Sequence, residues 1–216
     1  MEGLVHLQSN EIIVERQFAH PYHTFYDRRV LCYMLYRLWN VMESAEGLTT
    51  NTLSLHLQQL ELDGRWHRMI INNPKVLKTA AQFLVVGFFG QRRYEADDKE
   101  VNQLDQLLLH ESADHPGLYG YSTMELTNGD TANCVVFRDE TAKMHWRTSE
   151  THSRAVGAIS PTYYHSIRLY NGRLNNHLSA SENLELTCVK YYDFQHNKVW
   201  RAIRPFEQQE PPEPQE

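Results

Sequence analysis

The chain has 216 residues and a formal net charge of −6, with 41% hydrophobic and 22% charged residues. This apolar fraction is enough for a folded core and excludes a wholly disordered chain. The acidic balance disfavours a general nucleic-acid-binding protein, which carries a basic excess. No apolar run reaches the roughly 18 residues of a membrane span, and the first residues lack a signal-peptide pattern. We therefore expect a cytoplasmic protein that binds neither membranes nor nucleic acid.

Residues 1–75 are predicted to form a mainly helical N-terminal extension, which ends at the turn-like sequence Asn72-Asn73-Pro74. Within it, β-branched residues favour a strand over residues 11–15. Dense apolar positions at helical spacing predict one long helix over residues 24–44. Leucines along one stripe predict a second helix over residues 51–62.

The pattern changes over residues 76–204, which we predict to be a second domain. A continuous apolar run is typical of a strand that is buried on both faces, and Asn128-Gly129 is typical of a hairpin turn. Aspartates at positions 97 and 139 are predicted to cap two helices. The predicted strands are residues 82–90, 118–126, 131–137 and 184–194, and the predicted helices are residues 97–115 and 139–159.

After Ser160-Pro161, the near-helical spacing of apolar residues favours a further helix, with a strand over residues 165–170 as the alternative. The order strand, helix, strand, strand, helix, strand predicts a ferredoxin-like βαββαβ sandwich of the α+β class. Residues 205–216 are rich in Glu, Pro and Gln, so we expect them to form a disordered acidic tail.

Part of the second domain resembles a known family. The sequence Val135-Val136-Phe137-Arg138-Asp139-Glu140-Thr141-Ala142 leads into Trp146, Ser149, His152 and Ser160-Pro161. This pattern is similar to the third strand and second helix of antibiotic-biosynthesis-monooxygenase-type domains, which belong to the dimeric α+β barrel superfamily. The resemblance covers about residues 79–195. It implies a homodimer in which two four-stranded sheets face each other, and a small apolar pocket in each subunit between its sheet and its two helices.

The activity that the resemblance implies is that of a monooxygenase-like enzyme acting on a small aromatic or polyketide-like molecule. The family also includes haem-degrading enzymes, cyclases and proteins without a known activity, so the fold alone does not choose among them. In a cofactor-independent monooxygenase, the deprotonated substrate itself supplies electrons to oxygen. We therefore expect no bound cofactor.

The residues that would carry this chemistry lie on the helix predicted after Asp139. Trp146 and His152 fall roughly 120° apart around such a helix and flank its apolar side, with Ser149 between them. His152 is then a candidate proton shuttle, while Trp146 forms an aromatic wall of the pocket. The alternative is that Trp146 packs on the sheet and His152 caps a carbonyl group at the surface.

Tyrosines are the second group of candidates, because they bind aromatic rings by stacking and hydrogen bonding. Tyr119 and Tyr121 are predicted to lie on one face of a strand, and Tyr163 follows the second helix. The alternative for these residues is a subunit interface, where such side chains are enriched.

We expect neither a metal ion nor a haem. The three cysteines are widely spaced, and the pair His20-x-x-His23 has no further ligand nearby. A haem-degrading member of the family would place its iron-ligating histidine roughly ten residues past the helix tryptophan. This chain has Val156 at that position, and valine cannot bind iron; haem stays an alternative only if His145 or His152 takes this role in a shifted register.

Two other functions are alternatives. Residues 48–64 are similar to the recognition helix of winged-helix, ligand-responsive transcriptional regulators, but they contain no Lys or Arg for contacts to phosphates and bases. The long N-terminal helix, which is apolar around residues 33–42, favours instead a non-catalytic dimeric ligand-binding or assembly protein. In that case the helix docks a protein partner.

Overall fold

The computed structural model describes residues 3–44, 55–196 and 198–206. These residues form one nine-stranded sheet that is covered by helices on both faces. The helices are α1 (Tyr22–Ser44), α2 (Pro74–Thr79), α3 (Asp98–Ala113), α4 (Glu140–Arg147), α5 (Glu150–Arg154) and α6 (Ser160–Tyr163). The strands are β1 (Val5–His6), β2 (Leu55–Leu60), β3 (Trp66–Ile71), β4 (Phe83–Arg92), β5 (Leu118–Glu125), β6 (Thr131–Phe137), β7 (Tyr164–Leu174), β8 (Leu184–Asp193) and β9 (Trp200–Pro205). No helix in these ranges is long and apolar enough to cross a membrane.

The strands lie in the order β1-β9-β8-β7-β4-β6-β5-β3-β2. β1 pairs with β9 in parallel, and every other neighbouring pair is antiparallel. The predicted α+β class is confirmed. The sheet is wider than the four predicted strands, which are β4, β5, β6 and β8, because β7 lies between β4 and β8, while β9 and β1 extend the sheet at one edge, and β3 and β2 extend it at the other. The four central strands, β7-β4-β6-β5, are consecutive strands of the chain. In chain order, α3 lies between β4 and β5, and α4–α6 lie between β6 and β7.

Several local predictions are confirmed at the residues that motivated them. The continuous apolar run forms the central strand β4, whose side chains enter the cores on both faces of the sheet. Gly129 has φ +79° in the turn between β5 and β6, a conformation that glycine adopts without strain. Asp97 accepts a hydrogen bond from the Lys99 amide, and Asp139 accepts one of 2.8 Å from the Ala142 amide, so both predicted helix caps form.

The predicted long N-terminal helix is also confirmed as α1, and it packs across the sheet face opposite α3. Leu31, Leu35 and Leu38 are fully buried there in the larger of the two cores. Gly87 of β4 lies under Leu31, and a Cβ at Gly87 would come within 2.6 Å of a Leu31 methyl carbon. The glycine therefore allows α1 to approach the sheet closely. Since α1 covers the face that the resemblance assigns to the partner's sheet, a face-to-face dimer would require α1 to leave it.

Two segments form strands where the sequence pattern favoured helices. Leu55–Leu60 is β2, which pairs with β3, whereas residues 51–54 of the predicted helix lie outside the described residues. Residues 55–60 therefore do not form the recognition helix that the sequence resembled, because they are part of a strand. Tyr164–Leu174 is β7, which pairs with both β4 and β8. In both segments, hydrogen bonding to neighbouring strands overrides a spacing of apolar residues that fits either structure.

Three further predictions need correction. Residues 11–15 form no strand. The predicted helix over residues 139–159 is interrupted at Thr148 and Ser149, because Ser149 has an extended backbone and caps α5 instead. The predicted tail begins too early, since Pro205 belongs to β9 and the Phe206 ring stacks on Tyr170 at 6.3 Å. Its remaining residues, 207–216, lie outside the described ranges.

Candidate functional site

Three helices place polar and aromatic side chains together on the α3 face of the sheet. Glu111 lies in the last turn of α3, and His115 follows in the loop before β5. His145 and Trp146 come from α4, and His152 comes from α5. The break between α4 and α5 turns His152 back towards Trp146. We call these five residues the histidine–tryptophan cluster.

Trp146 is the centre of this cluster. Its ring centroid lies 5.8 Å from that of His115 and 5.8 Å from that of His152. The His145 ring is 4.8 Å from the His115 ring on the outer side. Trp146 is buried against Phe137 and Tyr121 in the smaller core, so the sheet fixes its position. The result is a rigid indole flanked by two imidazoles.

The cluster contains buried polar atoms that make no well-formed hydrogen bond, although the backbone of Ala142 lies close enough to His115, and that of Arg147 to His152, to raise the pKa of each. These atoms are both ring nitrogens of His115, Nδ1 of His152 and Oε2 of Glu111. Only 7% of the His115 surface is exposed. A buried polar group without a partner costs about 1–3 kcal/mol, so native proteins rarely keep several of them close together. Their convergence here indicates a place for a bound polar molecule.

Burial lowers the pKa of both His115 and His152, because a charged imidazole loses its hydration there. Electrostatic repulsion from the neighbouring His145 ring lowers the pKa of His115 further. Glu111 opposes both shifts without reversing them. Both imidazoles are therefore neutral at pH 7 and can accept a proton, and the Glu111 carboxylate favours the charge that results.

The structure brings together only some of the predicted site residues. Trp146 and His152 were predicted on one helix about 120° apart, whereas the structure places them on two helices with their rings 5.8 Å apart. Ser149 lies between them in sequence and accepts a hydrogen bond of 3.2 Å from the His152 amide, so it positions α5. Tyr121 enters the same core beneath Trp146. Tyr119 does not lie on the face of Tyr121 but packs in the opposite core, because a bulge near Leu118 shifts the register of β5.

Two members of the cluster, His115 and Glu111, were not predicted from the sequence. His115-Pro116-Gly117 indicated only the end of a helix. The spacing of Glu111 and His115, four residues apart at a helix end, is typical of side chains on one helix face. That spacing was the sequence feature from which the two residues could have been found. The spacing could not show that α4 and α5 pack beside Glu111 and His115.

A second polar network lies on the opposite face, under α1. His67 Nδ1 donates a hydrogen bond of 2.5 Å to Glu61, and Ser122 Oγ donates one of 2.7 Å to His67 Nε2. Tyr33 and Arg37 of α1 also contact the Glu61 carboxylate. These are the residue types of a hydrolytic triad, but His67 and Ser122 are fully buried. The network therefore joins α1 to the sheet and gives no substrate access to Ser122.

The cluster does not have the features of a metal or haem site. Across residues 3–44, 55–196 and 198–206, no group of three His, Cys, Asp or Glu side chains is placed to hold a metal ion. Val156 is half exposed and has no atom that binds iron. Tyr121, Phe137 and Trp146 fill the space between sheet and helices that a haem would need. We therefore derive no step through haem.

Tyr163 lies away from the cluster, in an open cleft of about 340 Å³ between α3 and the strands β2, β3, β5 and β6. Its hydroxyl donates a hydrogen bond of 2.7 Å to Asp98, which together with burial raises its pKa to about 12. Tyr163 is therefore protonated at neutral pH, and it forms a wall of this cleft together with Tyr164.

Comparison with known proteins gives few matches. No known protein family and no curated protein matches the sequence. A solved structure from Shewanella oneidensis shares 12% identity, covering 44% of this chain and 95% of its own, with a TM-score of 0.38. Two structures named "putative monooxygenase", from Lactobacillus acidophilus and Fusobacterium nucleatum, share 9% and 10% identity. They cover 67% and 82% of this chain and 86% and 87% of their own, with TM-scores of 0.40 and 0.37.

The names of the last two structures agree with the family that the sequence resembles. At such low TM-scores, however, the likeness carries no argument about activity. The case for a function therefore rests on the geometry of the site.

Proposed function

We propose that this chain is a small-molecule enzyme of the monooxygenase-like type, which acts on an aromatic or polyketide-like substrate at the histidine–tryptophan cluster. In this proposal β4–β7 with α3–α6 form a ferredoxin-like unit. The proposal rests on one observation: two neutral imidazoles, those of the buried His115 and the half-buried His152, flank Trp146 and have buried ring nitrogens that make no well-formed hydrogen bond. Such groups are costly in a purely structural role and are suited to binding a substrate and accepting its proton.

In the proposed mechanism His152 acts as the base. Trp146 is only 5% exposed, so the substrate ring reaches it once α5 shifts aside, and His152 Nδ1 then removes a proton from a phenolic hydroxyl or from an activated ring carbon. The Glu111 carboxylate stabilises the imidazolium that forms, because its negative charge partly offsets the lowering of both histidine pKa values by burial. His115, on the other side of Trp146, hydrogen-bonds the substrate oxygen.

The deprotonated substrate then reduces dioxygen directly. For a ring CH2 group, one atom of O2 becomes the new carbonyl oxygen, and the other leaves as water with the two hydrogens of that carbon. Four electrons pass from the substrate to dioxygen, two for the new carbonyl group and two for the water. The reaction therefore balances with dioxygen as the co-reactant and without a bound cofactor.

Oxygen uptake with an anthrone as the probe tests this proposal. We expect His152→Ala and His115→Ala to lower the rate by about 10²–10⁴-fold, the usual contribution of a general base. His110→Ala is the matched control, because His110 is exposed on α3 outside the cluster. A His152→Ala variant with the wild-type rate would show that the cluster does not supply the base.

The homodimer stays a proposal, and α1 restricts its form. Because Leu31 and Leu35 of α1 are fully buried against the sheet, we propose a dimer that leaves α1 in place and forms outside this face. The outer side of α1 exposes Tyr22, Phe25 and Tyr26. These side chains favour the second candidate function, a protein partner for the N-terminal helix.

A further inference from the structure

We propose that the open cleft beside α3 is a binding site for a neutral, polyhydroxylated ligand, that is, a sugar or glycoside. This site is separate from the histidine–tryptophan cluster and goes beyond the proposed oxygenation. The residues that form it lie on β2, β3, β5, β6 and α3 and around the start of β7.

The floor of the cleft is a row of polar side chains across four neighbouring strands. Gln58, Arg68, Thr123 and Asn133 occupy directly opposite positions on neighbouring strands: Gln58 lies opposite Arg68, Arg68 opposite Thr123, and Thr123 opposite Asn133. All four line the cleft. Since adjacent strands lie about 4.8 Å apart, the row presents hydrogen-bonding groups at regular intervals over a flat surface. A flat ligand with many hydrogen-bonding groups fits such a floor.

Aromatic side chains provide the apolar part of the cleft. Trp66 is 51% exposed although tryptophan is usually mostly buried, and it stands at the outer rim on β3. Tyr163 and Tyr164 form the wall at the start of β7. Together with Val101 of α3, these side chains give an amphipathic lining. The C–H face of a sugar ring packs on such an aromatic ring while its hydroxyl groups reach the polar floor.

The two arginines that line the cleft are already paired with carboxylates, and Glu125 adds a negative charge at its edge, which argues against an anionic ligand. Arg68 forms a two-pronged ion pair with Asp105, at 2.6 and 2.9 Å. Arg92 lies 2.9 Å from Asp98, and that carboxylate also accepts the Tyr163 hydroxyl. A phosphate or carboxylate ligand would have to displace one of these pairs. Hydroxyl groups, in contrast, can bond to both partners of a pair without separating them.

Two buried atoms without partners indicate which groups the ligand carries. Nε of Arg68 is a donor, and Oδ1 of Asn133 is an acceptor, and neither has a hydrogen-bond partner. Both residues belong to the floor of the cleft. A hydroxyl group can accept from the first and donate to the second, whereas a carboxylate, a phosphate or an ammonium can do only one of these. The pattern therefore favours a ligand whose groups both donate and accept hydrogen bonds, as hydroxyl groups do.

Saturation-transfer NMR followed by calorimetry tests this inference on the full chain. The probes are methyl glucoside, methyl galactoside, maltose and cellobiose, with glucose 6-phosphate and glucuronate as charged counterparts and adenosine as a flat heteroaromatic. We expect transfer to at least one neutral sugar, and binding at least tenfold weaker for the charged counterparts. No transfer to any neutral sugar, or stronger binding of adenosine or of a charged probe, would overturn the inference.

Variants locate the site. We expect Trp66→Ala and Asn133→Ala each to weaken sugar binding at least tenfold. Trp66 is exposed, so its removal leaves the fold intact. Tyr36→Ala removes an exposed aromatic ring on the opposite face and should leave binding unchanged. His152→Ala should also bind the sugar normally, which separates this inference from the proposed oxygenation. If Trp66→Ala binds as the wild type does, the ligand lies elsewhere and the inference is wrong.

Discussion

The two faces of the sheet treat a buried histidine in opposite ways. Under α1, His67 has a partner on each ring nitrogen, Glu61 on one side and Ser122 on the other. Under α4 and α5, His115 makes no well-formed hydrogen bond on either nitrogen and has only the Ala142 backbone nearby. The same residue type is therefore part of the structural framework on one face and a candidate binding group on the other. Burial alone does not distinguish these roles, whereas the hydrogen-bond partners do.

Buried charged side chains on the α1 face also have hydrogen-bond or ion-pair partners. Asp27 of α1 accepts two hydrogen bonds from Arg168 of β7, at 2.6 and 3.1 Å, and both side chains are buried. The fully buried Arg204 of β9 donates to carbonyl groups of the N-terminal segment and to the Tyr191 hydroxyl. These contacts fix α1 and the segment before it to the sheet.

The largest expected effect comes from breaking the ion pair under α1. Asp27→Ala should lower the free energy of unfolding by about 3–5 kcal/mol, because it leaves the Arg168 guanidinium buried and unpaired. Urea denaturation measures this loss. The double variant Asp27→Leu/Arg168→Met should recover most of it, since no uncompensated charge is then buried. Equal loss in the single and double variants would mean that packing rather than charge determines the cost.

One substitution made on each face tests the comparison directly. His67→Leu should cost about 2 kcal/mol or more, because Ser122 and Glu61 each lose a buried partner. His115→Leu should change stability by less than about 1 kcal/mol or raise it, because it removes a buried polar group without a partner. Thermal unfolding of both variants beside the wild type measures the difference. Similar losses would show that His115 has a structural partner after all.

The smallest effect is a dependence of stability on pH. Burial lowers the pKa of His67 and His115 in the folded chain, so below about pH 6.5 the unfolded chain binds protons that the folded chain does not. Stability should therefore be complete above pH 7 and fall as the pH drops through 6.5 towards 5.5. Urea midpoints at pH 5.5, 6.5 and 7.5 measure this slope. His115→Leu should reduce the slope, and an unchanged slope would contradict the lowered pKa of His115.

Local features of the sequence predicted much of the central sheet and less of the site. The apolar run of β4, the Asn128-Gly129 turn and the cap at Asp139 depend on neighbouring residues, and all three are confirmed. β7 was favoured as a helix because its apolar spacing fits two structures. Trp146 and His152 were identified from a family pattern, but the third ring of the cluster, His115, belongs to a loop that no periodicity describes.

The sequence by itself determined the α+β class, the long helix α1 and the hairpin of β5 and β6. These features depend on spacing, capping and turn chemistry within a few residues, whereas Trp146 and His152 were candidates from a family pattern and their roles stay a prediction. The tertiary structure decided that β2 and β7 are strands, that Tyr119 and Tyr121 face opposite cores, and that α1 covers one face of the sheet. It also decided that Glu111 and His115 join His152. Each of these depends on contacts between segments far apart in the chain, where hydrogen bonding between strands and burial override local preference.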